Sequence, residues 1–241
     1  MPSLAELGSV AMIFPLFNER HAIASLVRRV PPIIAETIVV DDGSDDGGPD
    51  LAREAGARVI SQGRRRGVGA AIRTGIEAAR ANGHGAVVIL AANGKDDPAE
   101  APRLIDRLKA GYDYVQGSRF LREGGASVHL PRGRGLMIRG YTFLFRVLSG
   151  FAGTDVTNGY RAYRLSLLDD PRIRIKQAWL DRYELEYYVH WKAIKLGYRV
   201  IEVGVSKTYP KGGGNYSKIR RVRDWWSIVK PTLVLWLGVR D

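Results

Sequence analysis

Thr37-Ile38-Val39-Val40-Asp41-Asp42-Gly43-Ser44 is the stretch whose reading decides the fold. Four β-branched residues in a row favour an extended chain, and the run stops abruptly in two carboxylates, a glycine and a serine, all turn formers. No polar residue alternates with the apolar ones, so the strand is read as buried on both faces, the signature of a parallel sheet covered by helices. Working outward, Ser9 to Phe14, Arg58 to Ile60, Ala86 to Leu90 and Tyr112 to Gln116 read as further short strands. Helical spacing fills the gaps: Ile23, Leu26, Val27 and Val30; residues 68–81; and a helix from Pro98, a good first-turn residue.

Alternation of this kind predicts an α/β fold with a doubly wound, mostly parallel sheet, flanked by helices and forming one domain. The second half is less regular, with helices expected over 135–149 and 181–196 and a strand over 198–205. Ligands of such sheets sit at the carboxyl ends of the strands. Polar clusters fall there three times: Asp41-Asp42, Asn93 to Asp97, and Gly117-Ser118-Arg119. Strand ends are polar in every α/β protein, so it is the coincidence of three that marks a site.

Composition narrows the chemistry. The 241 residues are 45% hydrophobic and 26% charged, which is globular, and they include no cysteine. Disulfides, thiolate metal sites and cysteine nucleophiles are therefore excluded. The net charge of +12 is placed entirely in residues 121–241, which carry 22 basic and 10 acidic side chains against 15 of each in residues 1–120. An anionic partner for the second half follows. The opening MPSLAELGSVAMIF lacks the basic n-region of a signal peptide. No apolar run reaches the ~20 residues of a membrane-spanning helix, the longest being Pro231 to Val239.

Several familiar sites are missing. Gly67-Val68-Gly69 opens a helix, but Ile72 stands where a dinucleotide fingerprint needs its third glycine, and the motif follows the wrong strand. Beside Arg64-Arg65-Arg66 this helix start either meets a phosphate or only makes a tight turn. There is no Walker loop and no G-x-S-x-G elbow, and His21, His84, His129 and His190 do not cluster like zinc ligands. Glu186 and His190, four apart, read as a helix-surface pair.

An ordered set of motifs remains. It comprises Pro15 with Asn18-Glu19, Val39 to Ser44, Gly67 to Ala71, Asp96-Asp97-Pro98 and Gly117-Ser118-Arg119; then Asp155 with Thr157-Asn158-Gly159-Tyr160-Arg161, and Ser217-Lys218. Over roughly residues 10–220 this resembles family 2 glycosyltransferases of the GT-A fold, and within them the polyprenyl- or dolichyl-phosphate sugar synthases. The resemblance implies inverting transfer of a sugar from a UDP- or GDP-sugar to a polyprenyl phosphate. It implies a donor site of Pro15, Asn18, Glu19, Asp41, Asp42, Ser44, Gly69, Asn93 and Lys95, and phosphate or acceptor contacts from Arg119, Arg134, Arg161, Lys211, Ser217 and Lys218. Residues 1–120 would then bind the nucleotide sugar and 121–221 the acceptor.

One departure matters. The family usually carries D-x-D after the fourth strand, holding Mg²⁺ or Mn²⁺ on the donor diphosphate, whereas this chain has Ala91-Ala92-Asn93. A hard cation wants charged oxygen ligands. Two readings stand: the Lys95 ammonium neutralises the diphosphate directly, or Asp96 or Asp97 holds the metal from a shifted position. Lys95, Arg119 and Asp155 are the expected catalytic residues. Asp155 is read either as a catalytic or acceptor-site carboxylate or as the polar end of a strand.

The tail carries Lys207, Lys211, Lys218, Arg220, Arg221 and Arg223, then Trp225-Trp226 and an apolar stretch. Basic residues beside tryptophans suit an interfacial helix on anionic lipid, so 222–241 is expected to rest peripherally on the cytoplasmic face of a membrane or to join a second copy of the chain. Nucleic acid is the disfavoured partner, for no known binding motif occurs and the donor half has no net charge. Two other readings are a soluble glycosyltransferase acting on a small-molecule or glycan hydroxyl, and a catalytically silent nucleotide-sugar-binding homologue.

Overall fold

The β-branched run becomes strand β2 (Glu36–Asp41) in a computed structural model that describes residues 7–210 and 223–240. It pairs in parallel with β1 (Val10–Leu16) on one side and β3 (Arg58–Ser61) on the other. Strand β4 (Ala86–Ile89) lies parallel to β1 on its far side. Helices α1 (Arg20–Arg28), α2 (Gly48–Glu54) and α3 (Val68–Ala81) connect these four strands. A 3₁₀ turn at Pro98–Glu100 and α4 (Ala101–Lys109) then lead into β5 (Tyr114–Ser118). Every strand of the first half stands within two residues of its expected position, because each is a local apolar run closed by turn formers.

The second half completes the same sheet. Its seven strands run in the order β3-β2-β1-β4-β7-β5-β8, with β7 at Arg161–Arg164 and β8 at Val200–Gly204. Only β7 is antiparallel to its neighbours, β4 and β5. Arg-Ala-Tyr-Arg does not read as a strand, and none is expected there. It becomes one because β4 and β5 each present an unpaired edge that a single antiparallel segment satisfies. Since β7 lies between two strands of the first half, residue 120 marks no break in the sheet. A parallel two-stranded sheet of β6 (Ala126–Val128) and β9 (Ser206–Thr208) lies outside the main one.

Alternation along β1 divides the core. Val10, Met12, Phe14 and Leu16 join one cluster with Ile23 and Leu26 of α1 and Leu104 and Ile105 of α4. Ala11 and Ile13 face the other way, toward Ile72 and Ile76 of α3 and Tyr188 and Val189 of α6 (Glu184–Lys195). Gly75 lets α3 press onto the sheet, since a Cβ there would lie 2.5 Å from the Ile13 side chain. Helix α6 starts three residues later than expected, after a 3₁₀ turn at Ala178–Leu180, and the Asp181 carbonyl accepts the Ala70 N–H at 3.1 Å.

A third cluster joins α5 (Arg132–Ser149), α6 and α7 (Arg223–Trp236) through Tyr141, Phe145, Tyr187, Trp191 and Ile228. The segment expected at a membrane or against a second copy of the chain thus also packs on the domain itself. Ile228 and Thr232 are buried, and the Tyr141 hydroxyl donates to the Ile228 carbonyl at 2.8 Å. Among the described residues no helix is long and apolar enough to cross a membrane. The Glu186–His190 pair is not on a surface either: His190 is fully buried among Tyr114, Phe145 and Phe151.

Candidate active site

The carboxyl ends of β1, β2 and β4 open into a cavity of about 460 Å³, which continues past α5 to α6 and α7. Such a volume suits a small-molecule ligand. Pro15 near the end of β1 and Glu19 after it, Asp42 after β2, Asn93 and Lys95 after β4, Arg119 after β5 and Arg134 of α5 all line it. These seven predicted site residues come from segments far apart in sequence, and the fold brings them to one cavity.

Asp42 shapes the β2 end of the cavity. Its carboxylate accepts the N–H groups of Arg66, at 2.6 Å, and Gly67, at 2.9 and 3.0 Å, tying the arginine-rich loop to the end of β2. The Arg65 guanidinium lies over the Phe17 ring, 4.1 Å from its centroid. Asp41, Asn18 and Ser44, also expected at the donor site, are not among the lining residues and are tied to one another's segments. Asp41 accepts the Ser44 N–H at 2.8 Å and the Ser61 hydroxyl at 3.2 Å, while Ser44 Oγ accepts the Asn18 N–H at 3.0 Å. Gly69 is a packing residue rather than a donor contact, because a Cβ there would stand 2.1 Å from the Leu180 carbonyl oxygen. The helix start thus docks on a neighbouring backbone segment.

Two buried ion pairs underlie the middle of the cavity. Arg119 Nε donates to Asp155 at 2.6 Å, and its other nitrogens reach the Tyr209 hydroxyl and Thr157 Oγ1. Asp155 is fully buried and also accepts the Thr157 N–H and hydroxyl. It therefore stands behind Arg119 as the partner that orients it. The second pair is Lys207 with Asp96, whose segments meet in an antiparallel bridge, and Lys207 Nζ also donates to Asn158 Oδ1 at 3.2 Å. Lys207 lines the cavity and Asp96 does not. Burial holds the Lys207 ammonium below its usual pKa, and the Asp96 carboxylate opposes that shift.

Lys95 follows Asn93, whose Oδ1 accepts the Lys95 N–H at 3.1 Å, and the Lys95 carbonyl accepts the Thr208 N–H at 2.8 Å. Burial, together with the positive charges of Lys207 and Arg134, lowers the Lys95 pKa to about 8. Arg161 corrects the expectation of a phosphate contact. It is fully buried and spends its guanidinium on the Tyr114 hydroxyl at 2.8 Å and the carbonyls of Glu186, Val156 and Asn158. Lys211, Ser217 and Lys218 lie outside the described residues.

The residues do not fit the divalent cation of the usual D-x-D. Asp96 is committed to Lys207, while Asp97 caps the Ala99 N–H at 3.0 Å and pairs with Arg29. One Asp96 oxygen is buried without a partner among the described residues, but a cation there would lie against the Lys207 ammonium. No three carboxylates or histidines cluster among the described residues.

Several lining residues escaped the sequence reading: Arg182, Tyr183, Glu186 and Tyr187 around the start of α6, Ile138 of α5, Ile228 of α7, and Lys207 of β9. Tyr183 and Tyr187, four apart on one helix face, were a legible aromatic signal. Lys207 was not legible, since nothing local separates it from the other lysines of a basic tail.

The comparisons with known proteins agree with this geometry. The chain belongs to glycosyl transferase family 2, whose family model matches residues 12–170, and it is a glycosyltransferase of GT-A fold. It is 32% identical to the polyprenol monophosphomannose synthase of Mycolicibacterium smegmatis over 205 residues, covering 82% of this chain and 76% of that protein. It is 31% identical to a dolichyl-phosphate hexose transferase of Haloferax volcanii, covering 85% and 89% of the two chains. Glucosyl-3-phosphoglycerate synthase of Mycobacterium tuberculosis, solved with Mn²⁺, UDP and phosphoglyceric acid, superposes with a TM-score of 0.70 at 21% identity, covering 99% of this chain and 84% of that one.

Proposed function

We propose that this glycosyltransferase moves a sugar from a UDP- or GDP-sugar to the phosphate of a polyprenyl phosphate, with inversion. The observation that carries this reading is the mixed lining of the cavity: the carboxylates Glu19 and Asp42 beside the ends of β1 and β2, the cations Lys95, Arg119, Arg134 and Lys207, and the apolar faces of Ile138, Tyr187 and Ile228 from α5, α6 and α7. A nucleoside, a diphosphate and an acceptor with a lipid tail need those three kinds of surface. The names of the mycobacterial and haloarchaeal relatives, a polyprenol and a dolichyl-phosphate enzyme, support the acceptor class.

In the transfer, an acceptor phosphate oxygen attacks the anomeric carbon as the bond to the donor diphosphate breaks, and the electron pair leaves on the diphosphate oxygen. The acceptor is already ionised at neutral pH, so no proton has to be removed. What this chain supplies is alignment and positive charge where negative charge grows. Arg119 is held rigid for that task by Asp155, Thr157 and Tyr209. A single displacement inverts the centre; of the three carboxylates that line the cavity, Asp42 takes two backbone N–H groups, Glu186 pairs with Arg161 at 3.3 Å and Glu19 lies 3.6 Å from the His21 ring.

The acceptor lies in a bilayer, and the outer face of α5 suits one. Leu136, Phe143 and Val147 are exposed beside Arg132, Arg139 and Arg146 on a helix with no acidic residue. Trp226 and Trp236 of the adjoining α7 are exposed as well. Cationic and apolar side chains on one surface fit an anionic membrane.

The test incubates the full chain with a panel of UDP- and GDP-sugars and undecaprenyl phosphate in anionic vesicles, and extracts the lipid. A prenyl phosphodiester sugar whose anomeric configuration is opposite to the donor's is the expected product. Transfer to 3-phosphoglycerate or to free glycans, with none to the lipid, would replace the acceptor assignment.

A further inference from the structure

We propose that this site binds the donor diphosphate through side-chain cations, Lys95, Arg134 and Lys207, with no divalent metal. The inference rests on the donor reading above and specifies how its diphosphate is held. Three observations carry it. The first is the ligand set: the strand end that would supply D-x-D carries Ala91 and Asn93, and the two carboxylates that follow are each bound to a cation of the chain, Asp96 to Lys207 and Asp97 to Arg29.

The second is what stands there instead. Lys95 lines the cavity from the same loop, Arg134 from α5 and Lys207 from β9, and they are near enough for the charges of Lys207 and Arg134 to act on Lys95. Three cations around one cavity, offset in part by Asp96 and Glu19, form an arrangement that a polyanion stabilises. The Arg134 Nε is buried without a hydrogen-bond partner among the described residues, and a guanidinium is suited to phosphate oxygens.

The third is the scaffold. The Lys207 ammonium is fixed through Asp96 and Asn158, and the Lys95 backbone through the Asn93 turn and the Thr208 N–H, so both lysines spring from a framework tied together before any ligand arrives. Preorganised charge of that kind does for a leaving diphosphate what a bound cation would do.

The experiment is calorimetric titration of UDP and GDP into the full wild-type chain, once in EDTA and once in Mn²⁺. One of the two nucleotides is expected to bind with the same affinity, within about threefold, in both buffers. Lys95→Ala is expected to weaken that binding by about tenfold or more in EDTA without changing the melting temperature of the free protein. The paramagnetic signal of free Mn²⁺, followed in parallel, should fall no further with protein and nucleotide together than with nucleotide alone.

Binding that tightens about tenfold or more on adding Mn²⁺ overturns the proposal and leaves the donor reading standing. In that case Glu19→Gln locates the ligand, since Glu19 is the lining carboxylate closest in charge influence to Lys95. Wild-type affinity in Lys95→Ala also overturns it. Failure of both nucleotides to bind in either buffer removes the donor reading itself. The wild-type comparison does not depend on any variant folding.

Discussion

His190 is the residue whose environment departs furthest from what its type requires. Its ring is fully buried against Tyr114, 4.7 Å between centroids, and neither ring nitrogen has a partner among the described residues. Burial, with the nearby Arg161 charge, drives its pKa well below the usual value, so it stays neutral in the fold. Unfolded, the same ring takes up a proton near pH 6.5. A folded pKa below the unfolded one means that the stability tied to His190 is full above about pH 6.5 and is lost as the pH falls below it. The melting temperature should therefore drop between pH 7 and 5, and His190→Phe should flatten part of that drop while melting no lower at pH 7. A His190→Phe protein as acid-sensitive as wild type would remove His190 from the account.

At the scale of the element, α5 shows how one helix serves three surfaces. Tyr141 and Phe145 pack in the third core cluster, Arg134 and Ile138 line the cavity, and Leu136, Phe143 and Val147 face outward. Spacings of four, three and four put Arg134, Ile138, Tyr141 and Phe145 on one stripe, which meets the cavity in its first half and the core in its second, while spacings of seven and four put the outward set on the opposite stripe. If the outer stripe is the membrane face, Phe143→Asp with Val147→Asp should cut sedimentation with anionic vesicles several-fold, because each change exchanges buried apolar area for a repelled charge. Nucleotide binding should be unchanged, since neither side chain lines the cavity. Undiminished vesicle binding in the double variant would assign lipid contact elsewhere.

The whole molecule answers a different question about its end. A detachable membrane tail predicts that removing it spares the fold, but α7 supplies Ile228 to both the third core cluster and the cavity wall and accepts a hydrogen bond from Tyr141. Truncation after residue 222 should lower thermal stability by several degrees and weaken acceptor use, because it opens an apolar core and leaves the buried Tyr141 hydroxyl without its partners. A truncated chain that melts like the full one would restore the view of a dispensable tail.

How much of this could be read in advance depends on the range of the interaction. The first-half strands, helices α1, α3 and α4, the polar strand ends and the missing D-x-D were legible, because periodicity and turn chemistry are set by residues within a few positions of one another, whereas the short α2 was not expected. Strand β7 was not, since Arg-Ala-Tyr-Arg becomes a strand only where two other strands leave edges to be filled. The site divides in the same way. The sequence by itself determined which side chains the strand ends would offer, with Ala91 and Asn93 in place of a carboxylate pair and Lys95 just beyond them. Only the tertiary structure decided their employment: Asp96 bound to Lys207 and Asp155 to Arg119, Arg161 sunk in the core, and Gly69 pressed against Leu180. A charge's role depends on what faces it, and here the facing groups lie tens of residues away in the chain, brought together by the packing of the sheet and its helices.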